Sequence, residues 1–237
     1  HITYSMIVTA IRDHKTERYR VRMTAGGDRI PYGGDVETPS ADILLTKILL
    51  NSVVSTPHAK FITIDIQNFY LHSKLPAPEY MSLDASLLPP TIQHQYNLNT
   101  ITTNGKIYMQ INRGMYGLKQ SGHIAHKDLS ILLKRHHYVP AQHVPGLWQH
   151  ATRPITFILT TDDFAIKYLH PTDAHHLINI LQSHYPITVN WAGNHYCGLD
   201  IQWELNASPR KVTISNFPYI PELLTKINFI PSRTPTK

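Results

Sequence analysis

At 237 residues with 42% hydrophobic content, the chain can bury a real core as one large or two small domains. A net charge of +6 and a pI near 9.3 favour an anionic partner such as nucleic acid. No apolar run approaches the roughly 20 residues of a membrane span. The lone Cys197 excludes a disulfide framework and zinc-finger spacing.

Residues 1–37 are basic and Gly-rich, with Arg12, Lys15, Arg18, Arg20, Arg22 and Arg29. Ser40 can cap a helix carrying Ile43, Leu44, Ile48, Leu49 and Val53, with Pro57 marking its end region. Phe61–Ile66 reads as a strand, and residues 76–106, rich in Pro and polar groups, as irregular connections with short elements. Lys106–Ile111 reads as a strand, and Ile124–Arg135 as a helix with an Ile124, Leu129, Leu132, Leu133 stripe. A hairpin over 154–169 precedes a helix over Asp173–Tyr185, capped by Thr172, with Leu177, Ile180 and Leu181 facing inward. Strands follow at Ile187–Trp191, Tyr196–Leu205 and Lys211–Ser215, the last two joined by the turn 206–209. Pro221 fits the first turn of a final helix, Glu222–Ile227.

The adjacent acids Asp162-Asp163 fall where the 154–169 hairpin turns. Two neighbouring carboxylates repel each other, and a core strand cannot hold them unpaired. A divalent metal at the hairpin tip removes that cost. A solvated turn is the alternative, since Asp is a common turn residue. The chain has only 11 Asp and 5 Glu, so the pair is not part of an acidic surface. The order around it is strand, helix, hairpin, helix, strand, the βαββαβ order of a split, ferredoxin-like α+β sheet. In such a sheet Asp65, ending the first strand, neighbours the hairpin. Three carboxylates then converge on one face as a hard-oxygen site suited to magnesium. Sixteen His residues offer His123-x-x-His126, His136-His137 and His175-His176 as metal candidates, but solvated helix faces account for most of them.

The strings carrying these acids resemble those of the reverse transcriptase domain of a copia-type LTR retrotransposon polyprotein. Phe61-Ile-Thr-Ile-Asp65-Ile-Gln-Asn-Phe-Tyr70 resembles the first catalytic motif, and Gly114-Met-Tyr-Gly-Leu-Lys-Gln120 the family's YGLKQ motif. Leu159-Thr-Thr-Asp162-Asp163 occupies the place of the metal-binding box, and Tyr196-Cys-Gly-Leu-Asp-Ile201 that of the primer-gripping hairpin. Arg20-Val-Arg22 is similar to a fingers motif, and Tyr219–Leu224 to the start of the thumb.

The resemblance implies a right-hand polymerase with a ferredoxin-like palm. Fingers would comprise 1–37 and 76–118, palm 38–75 and 119–216, and a truncated thumb 217–237. It implies an RNA-directed DNA polymerase extending a primer with dNTPs on an RNA or DNA template, using two Mg2+ ions, with Mn2+ as a substitute. Asp65, Asp162 and Asp163 would be catalytic: Asp65 and Asp162 would bridge the metals, Asp163 would complete the site, and the Ile66 carbonyl would be a further ligand beside the incoming nucleotide. Arg22 would meet the triphosphate with Lys119 as an alternative, Tyr70 would exclude a ribose 2′-hydroxyl, and Gln120 would contact the nucleotide. Cys197, Gly198 and Leu199 would grip the primer. Gly117 and Gly122 would allow close backbone approach.

A chain opening on His1 and stopping in a Pro-rich tail is expected to be cut from a longer polyprotein with integrase and RNase H regions. No signal-peptide pattern opens it, so the expected location is intracellular, in a cytoplasmic particle or the nucleus, with no membrane partner. Two departures from the family stand out. Thr160-Thr161 replaces the usual aromatic or aliphatic pair, and no lysine lies between Lys167 and Lys211 to act as general acid, leaving His195 or water. The alternative reading is a decayed remnant that only binds nucleic acid.

Overall fold

The computed structural model describes residues 1–11, 18–216 and 219–228. It is a mixed α+β protein. In chain order the elements are β1 (Thr3–Ile11), β2 (Tyr19–Ala25), α1 (Ile43–Ser55), β3 (Lys60–Ile66), β4 (Lys74–Asp84), α2 (Pro90–Gln95), β5 (Lys106–Arg113) and α3 (Ser121–Arg135). After these come β6 (Tyr138–Pro140), β7 (Leu147–His150), β8 (Ile155–Thr160), β9 (Asp163–Tyr168) and α4 (Pro171–Gln182). The remainder are β10 (Ile187–Asn190), β11 (His195–Tyr196), β12 (Leu199–Glu204), β13 (Lys211–Ser215) and α5 (Tyr219–Lys226). The chain divides into two compact units, His1–Thr38 with Asn68–Leu132 and Pro39–Gln67 with Leu133–Lys237. Residues 68–75 and 119–132 thus group with the N-terminal residues.

The first unit holds a sheet of order β2-β1-β4-β5. Its β1–β2 and β4–β5 pairs are antiparallel and its β1–β4 pair is parallel. The stretch 76–106, expected as irregular connections with short elements, opens instead on strand, because β4 runs through Pro76 and Pro78 to Asp84; short helical elements, α2 among them, follow before β5. Both prolines lie where the β4–β5 ladder is interrupted, between Lys74 and Glu79, so their missing N–H groups break no pairing. Ala25, Ile30, Leu75, Met81, Ile111 and Leu118 form the core there.

The second unit holds a six-stranded sheet, β10-β3-β9-β8-β7-β6, with every neighbouring pair antiparallel. Among β3, β8, β9 and β10 the spatial order is fourth, first, third, second. Alternation along the strands sends Phe61, Ile158 and Ala165 to one face. There they bury Leu49, Leu50 and Val53 of α1, with Tyr196 and Ile201 of the small sheet β11-β12-β13. The opposite face carries Phe157 and Phe164, 5.2 Å apart, with Tyr138 between Phe157 and His176 of α4.

Several local expectations need correction. Asp42, not Ser40, caps α1, its carboxylate accepting the Leu45 N–H at 2.7 Å. The buried stripe of α1 is Thr46, Leu49, Leu50 and Val53, while Ile43, Leu44 and Ile48 are exposed. Thr172 lies inside α4, which starts at Pro171 after His170 with no side-chain cap bond. A proline at this position needs no N–H partner. The expected strand Tyr196–Leu205 is broken by a turn at Cys197-Gly198. Arg12, Lys15 and residues 217–218 and 229–237 of the expected thumb lie outside the described residues.

Candidate functional site

Strand pairing determines which acids meet. Asp65 of β3 stands opposite Asp163 of β9, and Asp163 opposite Thr160 of β8. Directly opposed residues share a face. Asp65, Asp163 and Thr160 therefore form a row across three strands. Asp65 is exposed and Asp163 half-buried. Asp162 sits in the two-residue turn, its carbonyl accepting the Ile66 N–H at 3.1 Å, which ties the hairpin tip to the end of β3. Thr161 holds φ 58°, a left-handed conformation that costs a β-branched residue about 1–3 kcal/mol. Ile66 itself is buried, with its N–H committed to that turn.

The β11–β12 hairpin supplies the next neighbour. Tyr196 pairs with Leu199, leaving Cys197 (φ 45°) and Gly198 (φ 79°) as the turn. Two positive φ values make the turn whose twist matches antiparallel strands. It delivers the Cys197 thiol to Asp163 Oδ2 at 3.6 Å. Desolvation, then the Asp163 charge, pushes that thiol up to about 12, so it is a neutral donor. Tyr196 is buried, and its hydroxyl bonds the Thr160 hydroxyl at 2.9 Å. Desolvation holds the phenol above its ordinary value. The threonine that departs from the family string thus anchors the hairpin to the acid row. His195, weighed as a proton donor, is paired with Asp200 at 3.1 Å. Lys167 shares the acid face but lies four residues along β9 from Asp163, donating to Thr56 Oγ1 at 2.8 Å.

Of the nucleotide-binding candidates, Arg22, Tyr70, Lys119 and Gln120 lie in the first unit and Ile66 in the second. Arg22 places its guanidinium over the Tyr116 ring, 4.3 Å from the centroid, and donates to the Tyr116 hydroxyl at 3.4 Å. The Tyr116 ring meets Tyr70 edge-on at 5.2 Å. Arg22 and Tyr70 are thus joined through a residue the sequence reading did not single out. Its signal was available, as an aromatic inside the YGLKQ-like string. Gln120 is buried, and its Nε2 donates to Glu79 at 3.0 Å. Its Oε1 has no hydrogen-bond partner among the described residues. Lys119 donates to the Ile30 carbonyl at 3.4 Å. Gly117 (φ 95°) is required by close approach, because a Cβ there would overlap the Ala25 carbonyl oxygen. Gly122 is less constrained, its nearest neighbour being Thr38 Oγ1 at 3.3 Å from a Cβ built there.

The histidines do not all lie on solvated faces. His150 and His176, with ring centroids 5.4 Å apart, pack around buried Tyr138, whose hydroxyl bonds His176 Nδ1 at 3.0 Å. Among the described residues no group of three or more His, Cys, Asp or Glu side chains is arranged to hold a metal ion. The Asp65–Asp163 pair nevertheless suits one kind of cation. Magnesium is commonly bound by one or two carboxylates, with water and substrate phosphate completing its shell. Two like charges directly opposed on a sheet repel, and such an ion would relieve that repulsion.

No protein-family model matches the chain. No curated protein matches it significantly.

Proposed function

We propose that this chain is the polymerase portion of a reverse transcriptase, extending a primer on an RNA or DNA template with deoxynucleoside triphosphates. The observation that carries the reading is the Asp65–Asp163 pair, opposed across neighbouring antiparallel strands with Asp162 in the adjoining turn. The sheet order of fourth, first, third, second among β3, β8, β9 and β10 supports it, since that is the order of a ferredoxin-like sheet. A right-hand polymerase builds its palm on this arrangement. The motif strings and the net charge of +6 agree with a polyanionic substrate.

Asp65 and Asp163, with Asp162 beside them, would hold magnesium. When bound, the metal supplies positive charge to the attacking hydroxyl and to the phosphate oxygens. The chain's own contribution is positioning. The strand register holds Asp65 and Asp163 side by side, and the Cys197 thiol steadies Asp163. On the resemblance, Arg22 meets the triphosphate as a planar cation, and the Tyr70 ring occupies the space of a 2′-hydroxyl.

The test is primer extension by the whole chain on matched RNA and DNA templates. Extension in Mg2+ or Mn2+, abolished by a chelator, is the expected result. Template-primer binding without extension under any divalent metal would overturn the enzyme in favour of a nucleic-acid-binding remnant.

A further inference from the structure

The β3 and β9 strands end very differently. One end carries Asp65 opposite Asp163, and the other Lys60 opposite Tyr168. Five residues of strand separate the two ends, about 17 Å. Beyond the Lys60 end, within the second unit, lies a cleft of about 700 Å³. That is large enough for a small organic ligand. Lys60, Phe61 and Tyr168 line it from the sheet, Trp191 from the segment after β10, and Trp203 and Arg210 from the β12–β13 hairpin.

Each wall has a distinct character. Trp203 is fixed, its indole N–H donating to the Gly193 carbonyl at 2.9 Å and its ring tilted against Phe61 at 5.0 Å. Trp191 is 47% exposed and touches His175 at 5.0 Å. It therefore offers free aromatic surface at the cleft edge. Arg210 donates to the carbonyls of Thr56 and Ala59, which hold its guanidinium plane in place. Its Nε is buried with no hydrogen-bond partner among the described residues. Lys60 is exposed. No Asp or Glu lines the cleft among the described residues, and none there forms an ion pair with Arg210. Two tryptophans beside two cations with no neutralising carboxylate form a surface for a flat ring that carries negative charge.

We propose that this cleft binds a nucleotide, with its base on Trp191 and its phosphate beside Lys60 and Arg210, at a site separate from the Asp65–Asp163 pair. The occupant is one unpaired nucleotide of a single strand, since the chain as a whole carries a net charge of +6. Base stacking on an exposed indole gives contact without sequence preference. The site does not depend on the polymerase reading, because none of its lining residues belongs to the acid row.

The whole chain, kept in a chelator so that the carboxylates hold no metal, is titrated with an oligothymidylate and separately with thymidine monophosphate while tryptophan emission is followed. Trp148 is buried, so quenching reports on Trp191 and Trp203. The oligonucleotide should quench the emission, and Trp191→Ala should remove most of that quenching. Lys60→Glu should weaken apparent affinity at least about five-fold and flatten its salt dependence, whereas Lys60→Arg restores both. Asp65→Asn should change neither. Quenching by the monophosphate at similar concentration upholds the site and makes its ligand a free nucleotide. Quenching undiminished in Trp191→Ala, affinity unchanged in Lys60→Glu, or no quenching by either ligand overturns the proposal. Loss of primer extension in Asp65→Asn with quenching intact separates this site from the polymerase reading.

Discussion

Asp65 and Asp163 face each other across two antiparallel strands, like charges in directly opposed positions. Cross-strand pairs of one sign destabilise a sheet. On the proposed function, a divalent cation held there would turn that repulsion into two ligands, and its binding would be linked to stability. Magnesium or manganese should therefore raise the midpoint of thermal unfolding of the unmodified chain and leave that of Asp65→Asn nearly unchanged. Equal shifts in both proteins would mean that the ion binds elsewhere.

The Arg22–Tyr116–Tyr70 chain makes a kinetic prediction. Tyr116→Leu removes the ring on which Arg22 rests, and should raise KM for the deoxynucleoside triphosphate roughly 2- to 30-fold, the range spanned by about 0.5–2 kcal/mol. Tyr116→Phe keeps the ring and should stay near wild type. Tyr70→Ala should admit ribonucleotides. If Tyr116→Leu lowered kcat with KM unchanged, the ring would not be positioning the triphosphate contact.

Gly117 and Gly198 both have positive φ, but their surroundings differ. A Cβ at Gly117 meets the Ala25 carbonyl oxygen, whereas one at Gly198 meets nothing within 4 Å. Gly198→Ala should cost about 1 kcal/mol through backbone strain alone. Gly117→Ala adds overlap with backbone and should cost more than about 2 kcal/mol, a loss of at least roughly 4 °C in Tm. Equal losses would show that the first unit yields readily at that contact.

Acid sensitivity should come from the histidines around Tyr138. His150 and His176 are held below 6.5 by desolvation first and then by the Arg153 charge, with His136, His137 and Asp173 as further neighbours. A lowered pKa in the folded state means that the unfolded chain binds more protons as pH falls. This contribution to stability is complete above about pH 6.5 and is lost as pH drops through the lowered folded values. Urea midpoints measured between about pH 7.5 and 5.5 should fall on the acid side. His176→Gln should reduce that slope, and an unaltered slope would remove His176 from the account.

Much of the second unit could be read from local pattern. The alternation over Lys211–Ser215 matches β13 at both ends, and β-branched runs flanking a turn mark the Asp162-Asp163 hairpin. Periodicity misjudged α1, because Ile43, Leu44 and Ile48 fit the helical repeat yet face solvent. Helical spacing identifies an apolar stripe, but the partner sheet decides which stripe is covered. The strand β4 was hidden by Pro76 and Pro78, which a bulge accommodates. The opposition of Asp65 to Asp163 depends on register between strands distant in sequence. Tyr116 acquires its place only when β2 and the loop before α3 come together. The Lys60–Trp191–Arg210 cleft gathers residues from four separate segments, so no local string announces it.

The most direct measurement is single-nucleotide extension of an annealed primer in Mg2+ by the unmodified chain, by Asp65→Asn and Asp163→Asn, and by Asp128→Asn as a control. Asp128 is exposed on α3 and lies outside the acid row. Each of the first two substitutions keeps the side chain's shape and removes one charge. Each should lower the rate at least about 100-fold, while Asp128→Asn stays near wild type and template binding persists in all four proteins. Extension undiminished by Asp65→Asn or Asp163→Asn would contradict the assignment of polymerase chemistry to this pair.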